Sequence, residues 1–267
     1  MAAESKATED LQDAFARIEA AVNDGRTDLG RLGFWRLVGQ VKSDPRLAAH
    51  WADVVGRIDR AAFEQRKRIR LPVWLGNVVL FGATIALAAL VAVAMALAEG
   101  IDRPRPELAG ILLIVAAGGL SATVHGLGHW VAGRLGGIGF VAWFLDGPFR
   151  IQPGLKIDYA SYLRTEARSR ATMHAAGALA SKAAPFAVFA PAYIQHARAG
   201  WELLPEWSLW ALLGLGVLQI VTDVVWSRKK SDWKKVRREL RLAQALRSRS
   251  SRIGSTERHP GSSGQPG

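Results

Sequence analysis

Two kinds of hydrophobic pattern share this chain. Up to about residue 71, apolar positions recur at the three- and four-residue intervals of amphipathic helices. Beyond that point, four long stretches are apolar almost without interruption. In the first part, Leu11, Phe15, Ile18 and Val22 define one helical stripe, which Asp24-Gly25 ends. Leu32, Trp35, Leu37 and Val38 define a second. Ser43-Asp44-Pro45 reads as a turn and a fresh helix start, followed by Leu47, Trp51, Val54, Val55 and Ile58. Residues 1–70 are therefore expected to form a soluble helical segment that packs on itself or on a partner.

The apolar runs extend roughly from Leu71 to Ala98, Leu108 to Leu135, Met173 to Ile194 and Leu203 to Trp226. A spanning helix needs about 20 mostly apolar residues, and every run is long enough. The pattern predicts an all-α polytopic membrane protein with four transmembrane helices across 71–226, the core being 108–226. The first run is nearly free of polar groups and reads as a lipid-facing anchor. Pro185 and Pro191 are expected to kink the third. Between the second and third runs, Ile138 to Leu145 and Phe149 to Gln152 are strand-like around a turn at Asp146-Gly147-Pro148, which predicts a small cytoplasmic hairpin or loop, either a lid on a site or an interfacial aromatic hairpin with no substrate role. A basic amphipathic helix is expected within 227–253, with Trp233, Val236, Leu240 and Ala243 along one side, lying on anionic headgroups. Residues 254–267 are rich in Gly, Ser and Pro and are expected to be disordered.

Charge sets the orientation. The chain carries 35 Lys and Arg against 23 Asp and Glu, a net charge of +12. Residues 1–71 hold 13 of the basic residues, 134–171 hold 6 and 227–267 hold 12, while the loops 99–107 and 195–202 together hold only 3. Basic loops stay in the cytoplasm, so both termini and the middle loop are expected there. Basic flanks around apolar runs point to membrane lipid rather than nucleic acid as the partner of this charge. Richness in Ala, Gly and Arg suits a bacterial source, hence a bacterial cytoplasmic (inner) membrane. With no cysteine, disulfides and thiolate metal sites are excluded.

Against this background a few intramembrane polar residues stand out. His125 and His129 lie four apart in the second run, on one helix face, a spacing at which two imidazoles can grip a single zinc ion; the alternative is two histidines hydrogen-bonded to neighbouring helices. With the chain oriented as above, both lie near the cytoplasmic end, as do His174 in the first turn of the third run and Asp223 in the last turn of the fourth.

His125-Gly-Leu-Gly-His129 resembles the H-E-L-G-H motif of the site-two family of intramembrane zinc metalloproteases. Ala176-Gly-Ala-Leu-Ala-Ser181 resembles the A-G-P-L-A-N of that family's next core helix. The resemblance covers roughly residues 108–235. It implies zinc as cofactor and membrane protein segments as substrates or partners. It also implies a third ligand from an aspartate, with Asp223 and Asp232 as the candidates and His174 as a further ligand or supporting partner. The departures concern catalysis. Gly126 stands where the family has its general-base glutamate, Ser181 replaces the asparagine, and neither aspartate precedes a glycine. Asp146, Glu166 and Lys182 are conceivable substitute bases. Glycine at 126 suggests close backbone approach by another element, or a job other than hydrolysis. Two further readings stand beside the protease: a catalytically inactive zinc-binding scaffold or regulator, and a haem- or ion-handling membrane protein.

Overall fold

The computed structural model describes residues 2–67, 69–100, 104–146, 152–199, 203–225 and 231–256, and within these it leaves out the side chains of 2–7, 146, 152, 223–225 and 249–256. The chain is mostly helical. The N-terminal helices α1 (Ala2–Asn23), α2 (Phe34–Lys42) and α3 (Pro45–Arg66) close on one core. Phe15, Phe34, Val41, Trp51, Val55 and Ile58 fill it, and Leu163 of the short helix α6 (Tyr159–Arg164) completes it. The predicted punctuation holds. Asp44 caps α3, its Oδ1 accepting from the Arg46 amide at 2.8 Å, with Pro45 in the first turn. Past Asp24, Gly25 takes φ +87°, which suits a residue without Cβ.

Each apolar run forms a helix: α4 (Val73–Glu99), α5 (Pro106–Leu135), α7 (Ala167–Arg198) and α8 (Glu206–Val225). Among the described residues, α4 and α5 are long and apolar enough to cross a membrane, and Glu206–Thr222 of α8 is a shorter apolar helix. Arg168, Arg170, His174 and Lys182 make the first half of α7 more polar. This helix also runs through Pro185 and Pro191 without ending. All four helices share a core of small and aliphatic side chains at one end, including Ala94, Ala98, Ala109, Leu113, Val188, Ala192 and Leu212.

At the other end lies a three-stranded antiparallel sheet in the order β1 (Arg70–Leu71), β2 (Phe140–Asp146), β3 (Gln152–Ile157). The expected hairpin is there, but its second strand begins at Gln152 rather than Phe149, with Asp146 opposite Gln152. Gly147, Pro148 and Phe149 lie outside the described residues. β1 adds an edge strand that the sequence pattern does not reveal.

Two expectations need correction. α4 is more than a lipid-facing anchor: its Asn77 is buried and accepts from the Trp143 indole N–H of β2 at 3.0 Å. The C-terminal helix α9 (Asp232–Thr256) packs on α7 instead of lying free on a surface. Its buried face carries Val236, Glu239 and Ala243, and Leu240 is 43% exposed. Helix continues through residues 254–256; residues 257–267 lie outside the described part.

Candidate metal centre

α5 and α7 cross where glycine lets them touch. A Cβ on Gly128 would come within 2.9 Å of the Ala176 carbonyl oxygen, and one on Gly177 would sit 2.4 Å from the His129 ring. This close crossing brings the imidazoles of α5 against the backbone of α7. His125 Nδ1 is 3.1 Å from the Gly177 carbonyl oxygen and His129 Nδ1 is 2.8 Å from that of Met173. Carbonyl oxygens only accept, so each Nδ1 carries a proton and each Nε2 is directed away from α7; in the neutral tautomer that Nε2 offers a lone pair. Ser181 stands beside the first of these contacts, its Oγ 3.3 Å from His125 Nδ1.

Both Nε2 atoms point to one place. They lie 3.3 Å apart, and Asp232 Oδ2, from the start of α9, lies 3.2 Å from that of His129 and 3.5 Å from that of His125. Two ring nitrogens and one carboxylate oxygen thus converge, and a cation between them, a shared proton or a metal ion, satisfies all three. The group His125, His129 and Asp232 can hold a metal ion. A tetrahedral ion with bonds of about 2.0–2.2 Å requires ligand separations of roughly 3.3–3.6 Å, which these three distances match closely.

The other carboxylate oxygen of Asp232 is also held. Lys235 Nζ donates to Oδ1 at 2.9 Å, and His174 Nδ1 lies 3.8 Å from it. Burial by itself would raise the Asp232 carboxyl; the His129 and His174 rings and the Lys235 charge outweigh that and hold it well below the usual carboxylate range. His174 is a neighbour of the triad and lies outside it: its Nε2 is 3.1 Å from the Tyr162 hydroxyl. Of the two candidate aspartates the structure brings Asp232 to the histidines. The Asp223 side chain lies outside the described residues.

Gly126 faces β2. A Cβ there would lie 2.6 Å from Cη2 of Trp143, and one on Gly76 of α4 would lie 2.1 Å from the same indole. Trp143 is therefore wedged between two helix backbones and pinned by Asn77. Its ring occupies the space into which a side chain at 126 would grow. The element that approaches Gly126 does so through a side chain, where the glycine had suggested a backbone.

The centre opens into a cleft of about 710 Å³ between α5, β3 and α9, lined among others by Phe144, Pro153, Leu155, Lys234 and Arg238. Among the described residues lining it, Asp232 is the sole carboxylate. Of the conceivable substitute bases, Glu166 lines a different cleft and Lys182 Nζ donates to the Ala178 carbonyl at 3.3 Å. Asp146 ends β2, its side chain lying outside the described residues.

Sequence reasoning missed Tyr162, Arg170, Glu239 and Lys42, which continue the polar chain behind His174. One signal was legible: Glu239 is an acid within the basic run Arg237-Arg238-Glu239, spaced with Val236 and Ala243 on a helix face. Comparison of the chain with protein-family models, with curated proteins and with solved structures finds no match in any of the three.

Proposed function

We propose that this chain is a divergent relative of the site-two intramembrane metalloproteases: a four-span protein of a bacterial cytoplasmic membrane that holds zinc at His125, His129 and Asp232 and acts on or binds membrane protein segments. The observation that carries the reading is the convergence of two oriented imidazole lone pairs and one carboxylate oxygen at tetrahedral separations. Three protein ligands facing a cleft suit a zinc site with an open position, and zinc bound so supplies Lewis acidity and water activation. The chain's own residues do the rest. The carbonyls of Met173 and Gly177 fix the ring tautomers, and Lys235 turns the carboxylate so that Oδ2 faces the histidines.

Membrane placement rests on α4 and α5 and on bare apolar surface elsewhere in the bundle. Ile85 is 70% exposed, Trp210 69% and Leu218 56%, exposures that water penalises and lipid does not. α7 and α8 share a core with α4 and α5, so lipid around those would surround all four.

The inactive scaffold gains from one specific observation, the Trp143 indole lying where a general base would project from position 126. Zinc binding is common to both readings and is tested first. Elemental analysis of the purified full chain should give about one zinc per chain for wild type and a clear loss for His129→Ala. Equal zinc in both proteins, or none in either, ends the metal reading. Visible absorbance from a bound haem would favour the third reading instead.

A further inference from the structure

Asp232, Val236, Glu239 and Ala243 recur along α9 at the spacing of a single helix face, and that face is turned to the protein. Glu239 is wholly buried, in a helix that otherwise bristles with Lys and Arg. Every oxygen it has is engaged. Oε1 accepts from Lys42 Nζ and, at 3.1 Å, from the Tyr162 hydroxyl. Oε2 accepts from Arg170 Nε at 2.8 Å. Arg170 spends another donor on the Thr165 carbonyl at 2.7 Å. The Tyr162 hydroxyl in turn meets His174, whose far nitrogen faces Asp232. A polar chain therefore runs from Lys42, the last residue of α2, through buried Glu239, Tyr162 and His174, and ends 3.8 Å from Asp232, the third candidate ligand.

Burying a carboxylate with two cations is not a cheap way to stabilise a helix contact, because desolvation offsets most of the attraction. Its distinctive effect is on register. If α9 slid or rotated, Glu239 would leave its partners and remain as an uncompensated buried charge. Asp232 lies two turns away on the same face, about 10.5 Å along the axis, so a fixed Glu239 fixes Asp232. Lys42 brings the N-terminal helices into that arrangement.

We infer that Glu239 is the positioning residue for the third metal ligand, and that through Lys42 the α1–α3 unit is thermodynamically linked to the metal centre. This rests on the metal reading above. Docking of α1–α3 against α9 favours ion binding, and ion binding favours docking by the same factor. The N-terminal unit thereby becomes a handle on the site: a partner that pulls it away weakens the ion's hold.

The test uses the full chain in detergent with Co²⁺, whose visible bands report coordination where zinc is silent. Glu239→Gln and Lys42→Met should each weaken Co²⁺ binding by about tenfold or more, in the range of typical coupling between sites, while Lys42→Arg retains most of it. Tyr162→Phe, which deletes a single hydroxyl, covers the case in which the charge variants do not fold and should also weaken binding. In the reverse direction, Zn²⁺ should slow amide exchange in α2 as well as in α9 of wild type; a merely structural ion pair would leave α2 unmoved. Wild-type affinity in folded Glu239→Gln and in Tyr162→Phe overturns the linkage alone. Wild type that takes up neither ion overturns the metal reading beneath it.

Discussion

At the scale of single residues, the glycines decide what this centre can become. Gly177 gives the His129 ring its place, and Gly126 gives the Trp143 ring its own. Restoring a glutamate at 126 is the obvious way to seek hydrolysis, but the structure argues that this change alone fails. Its Cβ would press on an indole already held by Gly76 and Asn77, and overpacking of that kind costs about 1–3 kcal/mol. Gly126→Glu should therefore lower the melting temperature without creating activity. Paired with Trp143→Ala, it should raise peptide cleavage in liposomes above either single variant, since a base contributes about 10²–10⁴-fold. Faster cleavage by Gly126→Glu alone would show that Trp143 is no obstacle. The His125/His129 pair was legible because it depends only on helical spacing. Trp143 was not, because its approach depends on how β2 folds back on the preceding helix α5 and at the same time meets α4, some way back in sequence.

At the scale of elements, α9 departs most from its sequence pattern. An amphipathic basic helix suggests a membrane surface, and the apolar positions alone place Trp233, Val236, Leu240 and Ala243 together. The face that packs is shifted to include Asp232 and Glu239, because partners on α2, α6 and α7 satisfy their charge. Periodicity of apolar residues cannot reveal a buried face that is partly ionic. Lys42 shows the strain of this design: desolvation pulls its ammonium down to about 8, against the opposing pull of Glu239. The unfolded chain keeps that proton up to the ordinary lysine range, so from about pH 8 to about 10.5 the unfolded state binds more protons and this group's contribution to stability rises with pH. Chemical denaturation across that window should give a rising component that Lys42→Met removes. The same slope in the variant would assign the effect elsewhere.

At the scale of the whole molecule, the metal centre, the sheet, α9 and the N-terminal unit all lie at one end of the helix bundle. The small-residue core of α4, α5, α7 and α8 lies at the other. The described parts of the basic segments 1–71, 134–171 and 227–267 belong to that first end. Reporter fusions after Arg168 and Trp226 should therefore report cytoplasm, and a fusion after Glu99 the opposite side. An external signal at Arg168 would invert the molecule and remove the cytoplasmic placement of the centre. Helix positions and hairpin were legible because long apolar runs and alternating strands are local signals. The third candidate ligand was half legible: depth pointed to Asp223 and the resemblance to Asp232, and a tertiary contact that neither argument contains brings Asp232 to the histidines.

Supplying that ligand from α9 has a consequence for biosynthesis. His129 and Asp232 are 103 residues apart, a delay of about 5–20 s at ordinary rates of translation. Throughout that interval the growing chain presents two imidazoles without Asp232, the weaker part of the candidate donor set. Maturation of the centre is thereby postponed until the C-terminal helix has emerged and docked, so a nascent or truncated chain in the membrane carries an immature site.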